Sequence, residues 1–197
     1  MDYKGILFCL SGPAGTGKDS IKKKLLAENP ALSKWVSTSS RKPRSGEIDG
    51  VDYFFISQEN FEAKIAGNEL IEYDKINDSY YVSVGTKEQF SAALQEGRII
   101  LQDITVEGVR ILKRLYDCNV ICIFIVPPSL DELGKRLKLR GDSSEVIQAR
   151  LELAEIEMLA AKDANVADYV VLNDDLDKAV RECSKIINNL LCNKFDL

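Results

Sequence analysis

The chain has no histidine among its 197 residues. That excludes a histidine-based triad and a histidine-ligated zinc, so any catalysis has to use carboxylates, cations, backbone amides or a metal. It also lacks an apolar run long enough to cross a bilayer. Runs such as Val120–Pro128 fall far short of the roughly 20 residues a spanning helix needs. The apolar run Ile6–Leu10 is too short for a secretory leader, and a glycine loop follows it at once. There is no C-x-x-C motif, and the five cysteines are an odd number. Cys9 and Cys122 lie in apolar strand-like runs, which points to buried free thiols in a reducing compartment. A basic surplus is missing as well: the net charge is −5, which argues against a broad nucleic-acid surface. The expectation is a cytoplasmic protein, monomer or homodimer, with neither nucleic acid nor membrane as a partner. Internal repeats and low-complexity tracts are also absent.

What remains is an ordinary globular composition, 45% hydrophobic and 29% charged, in a chain long enough for one buried core. Gly5–Ser11 reads as a buried strand, and Asp19–Glu28 as an amphipathic helix that Pro30 ends. Arg98–Gln102, Val120–Val126 and Asp168–Leu172 read as further strands. Helices are expected over about Val106–Tyr116, from Ser129 onward, and from the turn Asn173-Asp174-Asp175 to about Leu191. Ser129 with Glu132 has the spacing of a capping box. This alternation predicts an α/β fold, a parallel sheet with helices on both faces. Two segments break the rhythm. Lys34–Gly85, rich in aromatic and β-branched residues, predicts a small inserted antiparallel sheet. The polar stretch Arg136–Arg150, with Gly141-Asp142-Ser143-Ser144 inside it, predicts a mobile flap.

Between the first strand and first helix stands Gly12-Pro13-Ala14-Gly15-Thr16-Gly17-Lys18. This is the phosphate-loop pattern G-x-x-x-x-G-K-[ST] up to its last position. Its glycines let backbone N–H groups converge on phosphate oxygens at a helix N-terminus, and its lysine reaches the β- and γ-phosphates. Strand, loop and helix come in the order this motif requires, so a nucleotide polyphosphate is expected here, with Ser20 donating to the α-phosphate. The last position holds Asp19 instead of a hydroxyl residue. Two readings are open for it: a direct Mg²⁺ ligand, or a helix-start carboxylate that faces solvent, which is the preferred one.

Downstream runs Ser37-Thr38-Ser39-Ser40-Arg41-Lys42-Pro43-Arg44-Ser45-Gly46-Glu47, then Asp49-Gly50-Val51-Asp52-Tyr53-Phe54-Phe55. Arg41 and Arg44 are three apart about Pro43, and two guanidinium forks can clamp one phosphate. Tyr53 and Tyr81 can add hydrogen bonds to it. With the phosphate loop, this stretch resembles the guanylate kinase family, whose acceptor module has the form S-x-T-T-R-x-P-R-x-G-E-x-x-G-x-D-Y-x-F. Leu70-Ile71-Glu72, Tyr80-Tyr81-Val82-Ser83, Pro127-Pro128-Ser129 and Asn173-Asp174-Asp175 resemble further family blocks in the same order. The resemblance covers nearly the whole chain. It implies a P-loop core at 1–33, 86–135 and 151–197, a GMP-binding module at 34–85 and a lid at 136–150.

The implied reaction moves the γ-phosphoryl of ATP to GMP, with Mg²⁺. Glu72 can accept from the adjacent N1–H and N2–H₂ donors of guanine, a pair that adenine lacks. Ser37 and Ser83 complete the base site as the matching family positions do. Arg136, Arg140 and Arg150 match the lid arginines that close over the triphosphate, in a flap one residue shorter than usual. Asn173 matches the position that touches the adenine of ATP. Lys18, Arg41 and the lid arginines are the expected charge-stabilising set. The attacking group is already an anionic phosphate oxygen, so no general base is needed.

Three departures stand out. Asp19 is one. Where the family has D-I-D-x-Q-G, this chain has Asp103-Ile104-Thr105-Val106-Glu107-Gly108, so Asp103 alone is left to hold the Mg²⁺ water shell or to contact the acceptor, and Gln102 is a polar intruder before it. Val82 replaces a glycine, which suggests a narrower base pocket or a shifted hydroxyl. Two other readings stay open: a kinase with a different acceptor, and a protein-interaction module that has lost catalysis. The intact Gly17-Lys18 and the three lid arginines argue against the second.

Overall fold

The computed structural model describes residues 3–76 and 78–195. The outermost residues of the expected core domain, 1–2 and 196–197, lie outside the described residues, as does residue 77 in the inserted module. The main sheet has five parallel strands in the order β2 (Ser33–Lys34), β7 (Ile99–Asp103), β1 (Ile6–Ser11), β8 (Val120–Val126) and β9 (Tyr169–Leu172). The central β1 is buried at every position, as a parallel strand covered on both faces must be. Its side chains alternate between two apolar layers. Leu7 and Cys9 join Phe90 and Leu94 of α3 (Lys87–Gln95) and Val109 and Leu112 of α4 (Val106–Tyr116). Ile6, Phe8 and Leu10 join Ile21 and Leu25 of α1 (Lys18–Glu28) and Ala179, Cys183 and Ile187 of α7 (Leu176–Phe195). Period two in the strands and three-to-four in the helices thus put helices on both faces. Cys9 and Cys122 are fully buried, and burial pushes the Cys122 thiol up to about 12.

Three elements go beyond the sequence reading. Strand β2 extends the parallel sheet at its edge, so the main sheet reaches into the start of the segment assigned to the insertion. Helix α3 starts on a complete capping box, in which Thr86 accepts from Gln89 N and Gln89 Oε1 accepts from Thr86 N, each at 3.3 Å. Helix α2 (Gln58–Ala66), capped by Ser57, backs the small sheet through Phe61, Leu70 and Val82.

The small sheet runs β4 (Phe54–Phe55), β3 (Thr38–Ser39), β6 (Ser79–Val82), β5 (Asp74–Ile76). Its β3–β6 and β5–β6 pairs are antiparallel as expected, whereas β3 and β4 pair in parallel. The chain between those two makes a long loop through the arginine turn, and so re-enters in the same direction.

The stretch 136–150 is a helical hairpin: the end of α5 (Leu130–Leu139), a turn through Gly141 at φ 91°, and the start of α6 (Ser144–Leu159). It has its own apolar contact, with Leu133 and Leu137 against Ala154. Ser129 caps α5 by accepting from Glu132 N at 3.1 Å, but the Glu132 carboxylate turns to Arg136 at 3.4 Å. Only half of the expected capping box therefore forms.

Candidate active site

The carboxyl ends of β1 and β7 open into a cleft of 1240 Å³, with the small sheet as the opposite wall. The phosphate loop leaves β1 in a shape only glycine allows. Gly12 sits at φ 123°, where a Cβ would lie 2.3 Å from the Ile125 carbonyl oxygen. Gly17 sits at φ 91° with Asn173 Nδ2 where a Cβ would stand, at 2.4 Å. Thr16 is buried and donates to Pro13 O at 2.8 Å. Lys18 folds back on its own loop, donating to Gly12 O and to Pro13 O. Burial holds its ammonium below the ordinary range, and the charges of Glu157, Asp103 and Asp19 oppose that shift. Asp19 is exposed on the cleft wall and makes no hydrogen bond or ion pair among the described residues. Ser20 is exposed beside it.

On the far wall stand Arg41, Arg44, Tyr53 and Tyr81, all lining the same cleft. Arg41 is held hard. Glu47 accepts from both of its terminal nitrogens, at 2.6 and 2.7 Å, and from Arg44 N at 2.7 Å. Its guanidinium lies 5.0 Å from the Tyr53 ring centre and 5.3 Å from that of Phe55. The Arg41 hydrogen bond, then the Arg44 backbone, hold the Glu47 carboxyl down at about 2. Glu47 thus holds the arginine turn, a role the sequence motif does not assign to it. Its spacing of six from Arg41 across a proline turn was the available signal.

Glu72 is 3% exposed. Its Oε1 accepts from Ser83 N at 2.6 Å and Val84 N at 3.3 Å, while its Oε2 has no partner. Burial, opposed by those backbone donors, pushes its carboxyl up to about 7. Ser37 and Ser83 line the cleft next to it. The side chain of Val82 packs with Phe61 and Leu70 in the module's own core, and its backbone lies outside the left-handed region. Valine therefore costs no backbone strain at this position.

Asp103 is ion-paired with Lys22 of α1. Thr105 caps α4, accepting from Gly108 N at 3.2 Å, and donates to Asp74 at 3.1 Å.

Arg136, Arg140 and Arg150, expected as lid arginines, lie outside the cleft lining. Arg136 donates to the Asn173 carbonyl at 3.0 Å, and Asp142 lies 3.0 Å from Arg150 and 3.8 Å from Arg140. Asn173 is buried and donates its amide to Thr16 O at 2.6 Å, which ties β9 to the phosphate loop. The structure therefore brings together Gly12, Ala14, Lys18, Asp19, Ser37, Arg41, Arg44, Tyr53, Tyr81, Ser83 and Asp103 in one cleft, with Glu72 bonded to its wall. Pro13, Gly15, Thr16, Gly17 and Ser20 shape or flank the loop. Lys22, Gln102 and Glu157 line the cleft without having been singled out for it.

The cleft thus has a phosphate-loop wall with Lys18 and a facing wall with Arg41 and Arg44, and Glu72 is bonded to its side. Residues 4–190 match the family model for guanylate kinase. The guanylate kinase of Rickettsia prowazekii (strain Madrid E) is 41% identical over 186 residues, 93% of this chain and 91% of that one. That of Clostridioides difficile (strain 630) is 40% identical over 188 residues, 94% and 88% of the two chains. The crystal structure of guanylate kinase from Anaplasma phagocytophilum superposes with a TM-score of 0.72 at 25% identity, covering 100% of this chain and 98% of that one. With the family model spanning nearly all of its length, this chain belongs to the guanylate kinase family.

Proposed function

We propose that this protein transfers the γ-phosphoryl of ATP to GMP, or to dGMP, giving ADP and GDP. The observation that carries the acceptor assignment is Glu72, buried, with one oxygen held by two backbone N–H groups and the other without a partner. A ligand with two adjacent N–H donors would satisfy that oxygen, and guanine is such a ligand. A base without them would leave that buried oxygen unpaired, a mismatch such sites reject strongly.

The other residues take roles by position. The phosphate loop binds the ATP polyphosphate, and Lys18 exchanges its loop carbonyls for the β- and γ-oxygens. Arg41 and Arg44, with Tyr53 and Tyr81, hold the GMP phosphate in line. Arg41 is pre-oriented by Glu47, which reduces the ordering needed on binding. The acceptor oxygen is anionic and needs no general base, so a site without histidine suits the chemistry. Arg136, Arg140 and Arg150 reach the triphosphate by closure of the α5–α6 hairpin, which also excludes water.

Mg²⁺, bound with ATP, would supply positive charge against the phosphates, with Asp19 or Asp103 as the residues that would hold it or its water. Among the described residues no cluster of three or more ligating side chains exists, which suits an ion held mainly by phosphates and water. Of these two aspartates, Asp19 is uncommitted on the cleft wall, whereas Asp103 is engaged by Lys22.

The test is a coupled assay with ATP and GMP, run beside dGMP, AMP, UMP and IMP. ADP formation with GMP and dGMP above all others is expected. No ADP above background with GMP would overturn the proposal and favour an interaction module.

A further inference from the structure

Gln102 is out of character with its strand. It follows the fully buried Ile100 and Leu101 and is itself only 2% exposed, yet it is polar. Both ends of its amide are engaged. Its Nε2 donates to Ser37 Oγ at 2.7 Å and to the Ser83 carbonyl at 3.2 Å, and its Oε1 accepts from Lys22 Nζ at 3.3 Å.

Two of these neighbours fix which end of the amide is which. A backbone carbonyl can only accept, and a lysine ammonium can only donate. The NH₂ must therefore face Ser83 and the oxygen must face Lys22. Ser37 Oγ, on the NH₂ side, is then obliged to accept. Its own proton is left to be donated elsewhere, and within the protein its destination is the Ser83 carbonyl at a long 3.5 Å. A better acceptor arriving in the cleft would take it.

We infer that Gln102 is a positioning residue that fixes the Ser37 hydroxyl as a hydrogen-bond donor toward the acceptor base. Guanine has an acceptor, O6, next to the N1–H that Glu72 is proposed to read. The pocket then offers an acceptor and a donor side by side, in the order guanine requires. Adenine has a donor amine at that position and is opposed twice. Gln102 touches no substrate atom in this scheme and acts through Ser37. Its other end engages Lys22, which is also paired with Asp103, so the base pocket is braced against α1 and the end of β7. This inference rests on the guanylate reading above.

Steady-state kinetics on Q102L and Q102M, on S37A and on the S37A/Q102L double variant test it. Both Gln102 variants should raise KM for GMP about tenfold, the worth of one oriented hydrogen bond, with KM for ATP and kcat nearly unchanged. In the S37A background Q102L should add less than about twofold, because the effect passes through the hydroxyl. An unchanged KM for GMP in the folded variants would overturn the inference. So would a rise of equal size with and without the Ser37 hydroxyl, or a parallel rise in KM for ATP.

A second arm does not depend on the Gln102 variants folding. With 6-thioguanosine monophosphate, whose sulfur is a weak acceptor, S37A should lose less than it does with GMP. An equal loss overturns the donor assignment. If GMP is turned over normally and these contrasts fail, Gln102 is misassigned. If GMP is not turned over at all, the acceptor reading itself has failed.

Discussion

Thr105 donates its hydroxyl to a carboxylate oxygen of Asp74 at 3.1 Å. The bond joins the cap of α4, in the core, to strand β5 of the inserted module. It also accounts for the threonine where the family resemblance leads one to expect an aspartate. A second carboxylate there would face Asp74 with like charge, whereas a hydroxyl can donate to it.

Thr105→Asp keeps a good helix cap but opposes Asp74. KM for GMP should rise about fivefold, the scale of a partly exposed charge pair. Adding Asp74→Asn should restore it. A T105D variant with unchanged kinetics, or one that D74N fails to rescue, would show that the bond does not set the module's position.

Glu72 makes two measurements pH-dependent. Its carboxyl is raised from 4.5 to about 7, mainly by burial. The folded state therefore holds a proton that the unfolded state releases, so the contribution is full below about 4.5 and is lost as pH rises through about 7. A shift of that size is on the order of 3 kcal/mol. Glu72→Gln should flatten the stability curve across that window and be the more stable form above it, as read by denaturant titration. A proton on the free oxygen would turn it from acceptor to donor and oppose the guanine N–H groups, so kcat/KM for GMP should climb between pH 6 and 8 in the parent chain. E72Q should lose about a hundredfold or more in kcat/KM for GMP while ATP binding is retained. An unaltered acceptor preference in E72Q would remove Glu72 from the base site.

Glu47 holds Arg41 without touching the phosphate it is proposed to bind. Glu47→Gln keeps the shape and one acceptor oxygen but gives up the charge-assisted fork. KM for GMP should rise about tenfold, with the ATP constant unmoved. Because Glu47 is held at about 2, its support of the arginine turn is present above its unfolded value near 4.5 and lost only as pH falls toward 2. Acid titration of GMP binding down to pH 5 should show no inflection from this group.

Asp19→Ser restores the hydroxyl common to phosphate loops. If Asp19 meets the metal, the Mg²⁺ concentration for half-maximal rate should shift severalfold, since one carboxylate is a substantial part of such a site. A superimposable Mg²⁺ titration would place Asp19 as a solvent-facing charge at the helix start.

Much of the fold was legible because its signals are local and periodic. The run Val120–Val126 can hardly be anything but a buried parallel strand, and it is one to the residue. Strand β2 was not legible: two residues have no period, and Ser33–Lys34 becomes a strand only because β7 offers it an edge. Helix α3 could have been found, since Thr86 and Gln89 have capping-box spacing. The acceptor wall followed from motif spacing. The role of Gln102 did not, since its three partners are 19, 65 and 80 residues away in sequence. The place of Asn173 in the chain leads to the adenine expectation, and its bond to Thr16 is a contact visible only in three dimensions.

Asn173 joins two parts of the machine at one point. Its side chain holds the phosphate loop at Thr16, and its main-chain oxygen holds Arg136 of the α5–α6 hairpin. The closure proposed above has to keep the Arg136 bond or exchange it for a phosphate oxygen, while the bond to Thr16 belongs to the loop. The residue that ends an edge strand thereby couples hairpin and phosphate loop, so a change at either bond is one side chain away from the other.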